Sequence, residues 1–266
     1  MNFQNTPPDK KLGQHFLISE KIIQLITHDF AQQCDGIMEV GPGPAVLTKH
    51  LASQPKPYFV IEKDVRFIQD LKEHLKDDQI IFEDALNTEL LNIPLFTTFS
   101  ECWFVSNLPY NISVPLIVKY MQYPSIKFMT LMMQKEVALR IMPSKKNEMS
   151  SIAALCNTFF EIKKLCDVPP GSFYPPPKVQ STVLSFVRKE NSEILLSDLK
   201  SYEKFLRILF AQRRKQIKKV LSSSFLEKDI LEIFEKLNIN KEIRAETLSY
   251  QEVNQLFKAF NTIRQS

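Results

Sequence analysis

Apolar positions in the first 140 residues fall into two spacings. Ile22, Ile23, Ile26 and Phe30 recur at helical spacing behind Ser19, which predicts a helix capped by that serine. Gly36-Ile37-Met38-Glu39-Val40 is a short apolar run that predicts a strand, and it ends in Gly41-Pro42-Gly43-Pro44. A helix is expected next, through Leu47 and Leu51. Tyr58–Ile61, Gln79–Phe82, Cys102–Val105 and Phe128–Met132 repeat the strand pattern. Asp64 is placed to cap a helix carrying Phe67, Ile68 and Leu71, and a further helix is expected over Lys135–Met142. Such alternation predicts an α/β fold, a parallel sheet with helices on both faces.

Near residue 161 the pattern changes. Glu161–Val168 and Thr182–Val187 read as two strands joined by the proline-rich segment 169–177, a connection that fits antiparallel pairing. Beyond about Glu190 the chain is charged and helical in period. Leu206, Leu209 and Phe210 form one apolar face, and Ile230, Leu231, Phe234 and Leu237 another. The boundary predicted is therefore 1–189 for an α/β domain and 190–266 for a small all-helical domain.

Composition narrows the class. The 266 residues are 44% hydrophobic and 24% charged, enough for a sizeable core. Cys34, Cys102, Cys156 and Cys166 form no CxxC pair, and the four histidines have no zinc-ligand spacing. This predicts reduced thiols, a cytoplasmic location and no metal. No run of about 18 apolar residues predicts a membrane span, and the polar start lacks a signal-peptide core. A net charge of +4 is too mild to identify a partner, so distribution has to decide.

Only five glycines occur, and two lie in the turn after the first predicted strand. A dinucleotide fingerprint would want Gly or Ala at position 46, which is Val46. Pro42 and Pro44 have no N–H to offer a pyrophosphate. The turn therefore suits a nucleoside-bearing cofactor without phosphate, for which S-adenosylmethionine is the candidate. Glu62, ending the next strand, is placed to accept from both ribose hydroxyls. Asp84, ending the one after, is placed to accept from the adenine amine. Either alone also fits an ordinary cap after a strand, but Gly41, Glu62 and Asp84 after three successive strands favour a cofactor site.

Asn107-Leu108-Pro109-Tyr110 follows the fourth strand, at the carboxyl edge where such sheets bind ligands. The N6 lone pair of adenine is delocalised into the ring, which makes it a poor nucleophile. Two acceptors, the Asn107 amide oxygen and the Pro109 carbonyl, would bind its two N–H groups and draw the nitrogen toward tetrahedral geometry. They would also stabilise the positive charge that develops there. Tyr110 would stack on the base, and Phe173 would supply a second wall. The alternative for Phe173 is that it anchors its loop on the core.

Residues 200–219 carry Lys200, Lys204, Arg207, Arg213, Arg214, Lys215, Lys218 and Lys219 with almost no acidic residue between them. A solvated helix face is one reading, and a surface that tracks RNA phosphates is the other. Lys178, Lys10 and Lys11 would extend it.

Leu12-Gly13-Gln14-His15-Phe16-Leu17, Glu39-Val40-Gly41-Pro42-Gly43, Asn107 to Ser113, Gln134 to Val137, Phe173 to Ser181, Gln212-Arg213-Arg214-Lys215 and Arg244-Ala245-Glu246 together resemble one family. It is that of the small-subunit ribosomal RNA adenine dimethyltransferases, the kasugamycin-sensitivity methylases. The resemblance implies a class I (Rossmann-like) methyltransferase sheet with a helical C-terminal domain that binds RNA. It implies transfer of four methyls to two adjacent adenosines near the 3′ end of 16S rRNA, by a monomer acting on the small ribosomal subunit. It implies cofactor contacts from His15, Leu17, Gly41, Glu62, Asp84 and Asn107. Position 15 is His where the family often has Asn, and the turn has Ala45 where a third glycine could stand. Macrolide-resistance methylases acting on large-subunit RNA resemble the catalytic half, but the Gln212–Lys215 and Pro175–Pro177 segments favour the small-subunit enzyme. A ribosome-assembly factor or a transcription factor on this fold is the other alternative, which the intact Gly41, Glu62 and Asn107 set disfavours.

Overall fold

The computed structural model describes residues 7–9, 14–143 and 147–265. Lys10, Lys11, Leu12 and Gly13, named above, lie outside the described residues. The chain divides into two compact units, 1–138 with 162–188 and 139–161 with 189–266.

The first unit is built on a seven-stranded sheet. Its parallel strands are β2 (Gly36–Val40), β3 (Tyr58–Glu62), β4 (Ile80–Phe82), β5 (Cys102–Asn107) and β6 (Ile126–Gln134). The spatial order is β4-β3-β2-β5-β6-β9-β7, where β7 is Phe160–Val168 and β9 is Ser181–Arg188. β9 runs antiparallel to β6, from Phe128 opposite Val187 to Gln134 opposite Ser181. Every residue of β2 and β3 is buried, as expected when helices cover both faces of a parallel sheet. The chain leaves β2 toward β3 on one side and later returns to β5 on the other. The direction of winding therefore reverses between β2 and β5, and the crevice at their carboxyl ends is where such sheets bind ligands.

A separate two-stranded ribbon joins β1 (Phe16–Leu17) antiparallel to β8 (Phe173–Tyr174), with Phe16 opposite Tyr174 and Leu17 opposite Phe173. Two residues per strand leave no periodicity to read, so the sequence did not predict it. Helices α1 (Glu20–His28), α3 (Ile68–Lys72) and α5 (Lys135–Ile141) lie where expected. Ser19 stands at the N-cap of α1, but its side chain makes no capping bond there. Asp64 does cap, accepting the Arg66 N–H at 3.2 Å at the head of a 3₁₀ turn that leads into α3. After the glycine turn, helix α2 is only Thr48–Leu51. Gly41, Gly43 and Ala45 have φ of +67°, +55° and +57°, so the chain winds left-handed at every second residue and enters its helix late. That conformation costs an alanine about 1–2 kcal/mol. Helix α4 (Ser113–Met121) follows the Asn107 motif.

The second unit is helical. It contains α6 (Ser151–Phe159), α7 (Leu199–Leu209), α8 (Ile217–Leu221), α9 (Glu227–Lys236) and α10 (Tyr250–Gln265). The predicted single division near 190 left 139–161 with the sheet. Those residues join the tail instead because α6 packs on α7 and α10. Tyr202 of α7 donates to Asn254 of α10 at 2.6 Å, and its ring meets Phe257 at 5.0 Å. The inward face of α9 is Ile230, Ile233 and Phe234, whereas Leu231 and Leu237 are only partly buried. No helix among the described residues is long and apolar enough to cross a membrane.

Candidate active site

A cleft of about 1170 Å³, mouth included, opens at the carboxyl ends of β2, β3, β4 and β5. It is lined by His15, Leu17, Gly41, Glu62, Asp84, Asn107, Pro109 and Tyr110, so eight residues singled out in the sequence meet there. Gly41 faces the Pro109 ring, and a Cβ at Gly41 would stand 3.9 Å from it, so the first and fourth loops adjoin.

The 41–44 loop has no N–H group left for a phosphate. The Gly41 N–H donates to the Ile61 carbonyl at 2.9 Å, and the Gly43 N–H donates to Glu62 Oε2 at 2.9 Å. Pro42 and Pro44 have none. The loop thus offers close backbone approach and a carboxylate, which fits a nucleoside cofactor without phosphate. Glu62 also accepts the Asp64 N–H on Oε1 at 2.7 Å. Each oxygen retains a lone pair, so ribose hydroxyls would find an already oriented carboxylate. Burial raises the Glu62 pKa, while the Asp64 and Gly43 N–H groups oppose that rise.

Asp84 behaves oppositely. Lys63 donates to its Oδ2 at 2.8 Å and the Leu86 N–H to its Oδ1 at 3.0 Å. These bonds hold its carboxyl below the usual range, Lys63 first. Lys63 also lines the cleft. Along the chain it is merely a charged residue after a strand, and nothing in the sequence marks it.

The side-chain nitrogen of Asn107 donates to the His15 carbonyl at 3.0 Å. A carbonyl can only accept, so this bond fixes the amide orientation and leaves Oδ1 as the acceptor. The Pro109 carbonyl already accepts the Ile112 N–H at 3.1 Å and has one further lone pair. Tyr110 stacks on His15 with ring centroids 5.8 Å apart, and its hydroxyl is 2.7 Å from Ser181 Oγ. Two contacts therefore set its ring plane. Burial raises its pKa.

Phe173 requires a correction. It is 2% exposed and belongs to the core cluster with Leu17 and Val183, so it does not wall the cleft. Side chains alternate along a strand, and here Phe173 turns inward while Tyr174, 51% exposed, turns to solvent. The loop-anchor alternative is the one realised.

Glu39 lines the cleft floor at 1% exposure, accepting from Tyr58 and, at 2.8 Å, from Thr48. An acid inside the run Ile37–Val40 was the overlooked signal. Burial pushes its carboxyl up to about 7 from an ordinary 4.5. The folded state then binds the proton more tightly than the unfolded state. Stability should fall as pH rises from about 4.5 to 7 and level off above, by roughly 3 kcal/mol at most. Glu39→Gln should flatten much of that fall in thermal midpoint, with Glu62 supplying a remainder of the same sign. Parallel pH profiles for the two proteins would contradict it.

In the second unit, Arg207, Arg214, Lys215, Lys219 and Arg244 line an open groove between α7 and α8 with no carboxylate among its lining residues. Arg213, 56% exposed, stands 4.0 Å from Glu246, and Lys218 pairs with Glu227 at 2.7 Å. Distant acids thus reach two of the eight cations grouped by sequence, and Arg244 joins from outside the run. Lys178, in the first unit, is exposed. No cluster able to bind a metal occurs among the described residues.

The sequence profile of the ribosomal RNA adenine dimethylase family matches residues 7–262. The chain belongs to that family. Ribosomal RNA small subunit methyltransferase A of Malacoplasma penetrans is 36% identical over 241 residues, covering 90% of this chain and 87% of that protein. A dimethyladenosine transferase from Plasmodium falciparum superposes with a TM-score of 0.77 at 26% identity, over 93% of this chain and 98% of that one. The 23S rRNA methyltransferase ErmE shares the fold, with a TM-score of 0.69 at 22% identity over 92% and 99%. The protein is an S-adenosylmethionine-dependent rRNA adenine dimethyltransferase.

Proposed function

We propose that the cleft binds S-adenosylmethionine with its ribose at Glu62 and its adenine at Asp84. Its amino-acid end lies between Gly41 and the wall formed by His15 and Leu17. The target adenine then enters beside Asn107, Pro109 and Tyr110. The observation that carries this reading is the Asn107 amide, turned by the His15 carbonyl so that Oδ1 accepts, next to a loop that has no N–H left for phosphate.

When bound, the cofactor supplies an electrophilic methyl on a sulfonium centre. The chain's own residues prepare the amine. Asn107 Oδ1 accepts one N–H and the free lone pair of the Pro109 carbonyl accepts the other, drawing the nitrogen lone pair out of conjugation. Both acceptors are oriented beforehand and stabilise the charge that grows on nitrogen. Alignment of amine and methyl supplies the remainder. The methylated amine is acidic and sheds its proton to water or a carbonyl, so no strong base is needed. Tyr110 stacks on the base with its free face, a contact worth roughly 1–3 kcal/mol. A target within a helix must first be unstacked.

The substrate is small-subunit rRNA, at two adjacent adenosines near its 3′ end, each dimethylated by a cytoplasmic monomer acting on the subunit particle. Arg207, Arg214 and Lys215 on the groove, with Arg213 and Lys178, engage phosphates, and Lys218, paired with Glu227, contributes least. Labelled S-adenosylmethionine incubated with a mixture of unmethylated small and large subunits should yield dimethyladenosine in the small-subunit RNA on nuclease digestion. Label in large-subunit RNA instead would overturn the choice of substrate.

A further inference from the structure

Residues 14–17 form one wall of the cofactor cleft, and the two ends of that wall are fastened differently. At the far end the fastening is main-chain. β1 pairs with β8, and the Ile18 N–H donates to the Ser172 carbonyl at 2.8 Å. At the near end it is made of side chains. Gln14 donates to Asp64 Oδ2 at 2.8 Å. Arg66 donates to Asp64 through Nε at 2.8 Å and Nη2 at 2.6 Å, and to the Pro7 carbonyl through Nη1 at 3.1 Å. Gln14 Oε1 accepts the Asp9 N–H at 2.8 Å. Beneath them Phe67 meets Phe16 edge-on at 5.7 Å and lies 5.8 Å from the Arg66 guanidinium.

We infer that Arg66, through Asp64 and Gln14, is a latch that holds the 14–17 wall closed and so sets how long the cofactor stays bound. The inference rests on the cofactor reading of the cleft. Arg66 does not line the cleft, so it is a positioning residue. Its side chain is 40% exposed while that of Asp64 is 6% exposed. An ion pair open to water on one side is weak and screened by salt, whereas the main-chain end is cooperative. The wall therefore opens from the Gln14 end and pivots on the ribbon. The His15 carbonyl orients Asn107, so opening also releases the acceptor that prepares the amine.

The test is the dissociation rate of S-adenosylhomocysteine from the full chain, measured by displacement with labelled cofactor. Arg66→Ala should release it about tenfold faster and raise the KM for S-adenosylmethionine about as much. The single-turnover rate at saturating cofactor should change less than about twofold. Arg66→Lys should recover part of the effect, because the positive charge and a single donor atom remain but the two-pronged geometry is lost. Release from the unaltered chain should quicken with salt, and release from Arg66→Ala should not. Unchanged release in Arg66→Ala, or an equal fall in KM-independent turnover for Ala and Lys variants, would overturn the latch. Gln14→Ala repeats the test if Arg66→Ala does not fold. Failure of the unaltered chain to bind the cofactor at all would instead overturn the reading of the cleft.

Discussion

Asn107→Ala should lower single-turnover methyl transfer at saturating cofactor by roughly three orders of magnitude. Removing one preorganised polar partner of a developing charge costs about 10²–10³ in rate. Here the same substitution also removes the donor that ties the His15 carbonyl, so the loss belongs at the upper end. Cofactor affinity should fall only severalfold, because Glu62 and Asp84 are untouched. Filter binding of labelled S-adenosylmethionine and a single-turnover transfer assay separate the two effects. A transfer rate within tenfold of the unaltered chain would remove Asn107 from the chemistry.

The second large effect is expected from Arg207→Gln, Arg214→Gln and Lys215→Gln made together. All three side chains face the groove in the second unit, and none is held by an ion pair among those described. Each cation that neutralises a phosphate releases counterions, and losing it lowers the salt slope by about one. The triple variant should therefore lose two to three units of slope and roughly two orders of magnitude in RNA affinity at moderate salt. Lys218→Gln should do much less, since Glu227 already holds that ammonium at 2.7 Å. Titrations of rRNA at several salt concentrations measure both. An unchanged slope in the triple variant would take the groove out of the RNA interface.

The five parallel strands were legible because their apolar runs are short and end at turn residues or acids. Six cleft residues were legible because each sits at or just after a strand end or in the Asn107 motif, whereas His15 and Leu17 came only from the family resemblance. The β1–β8 ribbon was not, since pairing two residues depends on where distant chain comes to rest. Phe173 was misread for the same reason. Its loop composition says aromatic and stiff, but only pairing with Leu17 decides which of Phe173 and Tyr174 turns inward. Glu39 was passed over because a buried acid has meaning only once Tyr58 and Thr48 are known to reach it. In the basic run, composition located the cations, but only the fold brings Glu227 and Glu246 to two of them and adds Arg244.

The commitment of every N–H in the 41–44 loop has a bearing on life in a crowded metabolite pool. Adenine nucleotides share the adenosine half of the cofactor and are abundant wherever RNA is made. In this loop their polyphosphate tail would meet two prolines, two N–H groups already spent, and the Glu62 carboxylate. Lys63, which lines the cleft, is already paired with Asp84 at 2.8 Å, and like charges repel across a cleft from which water is partly excluded. On the proposed reading of the cleft, the loop that admits the methyl donor closely should bind ATP and the dinucleotides poorly. Discrimination among adenosine carriers would then come from what the loop declines to offer, at no further expense in specific contacts.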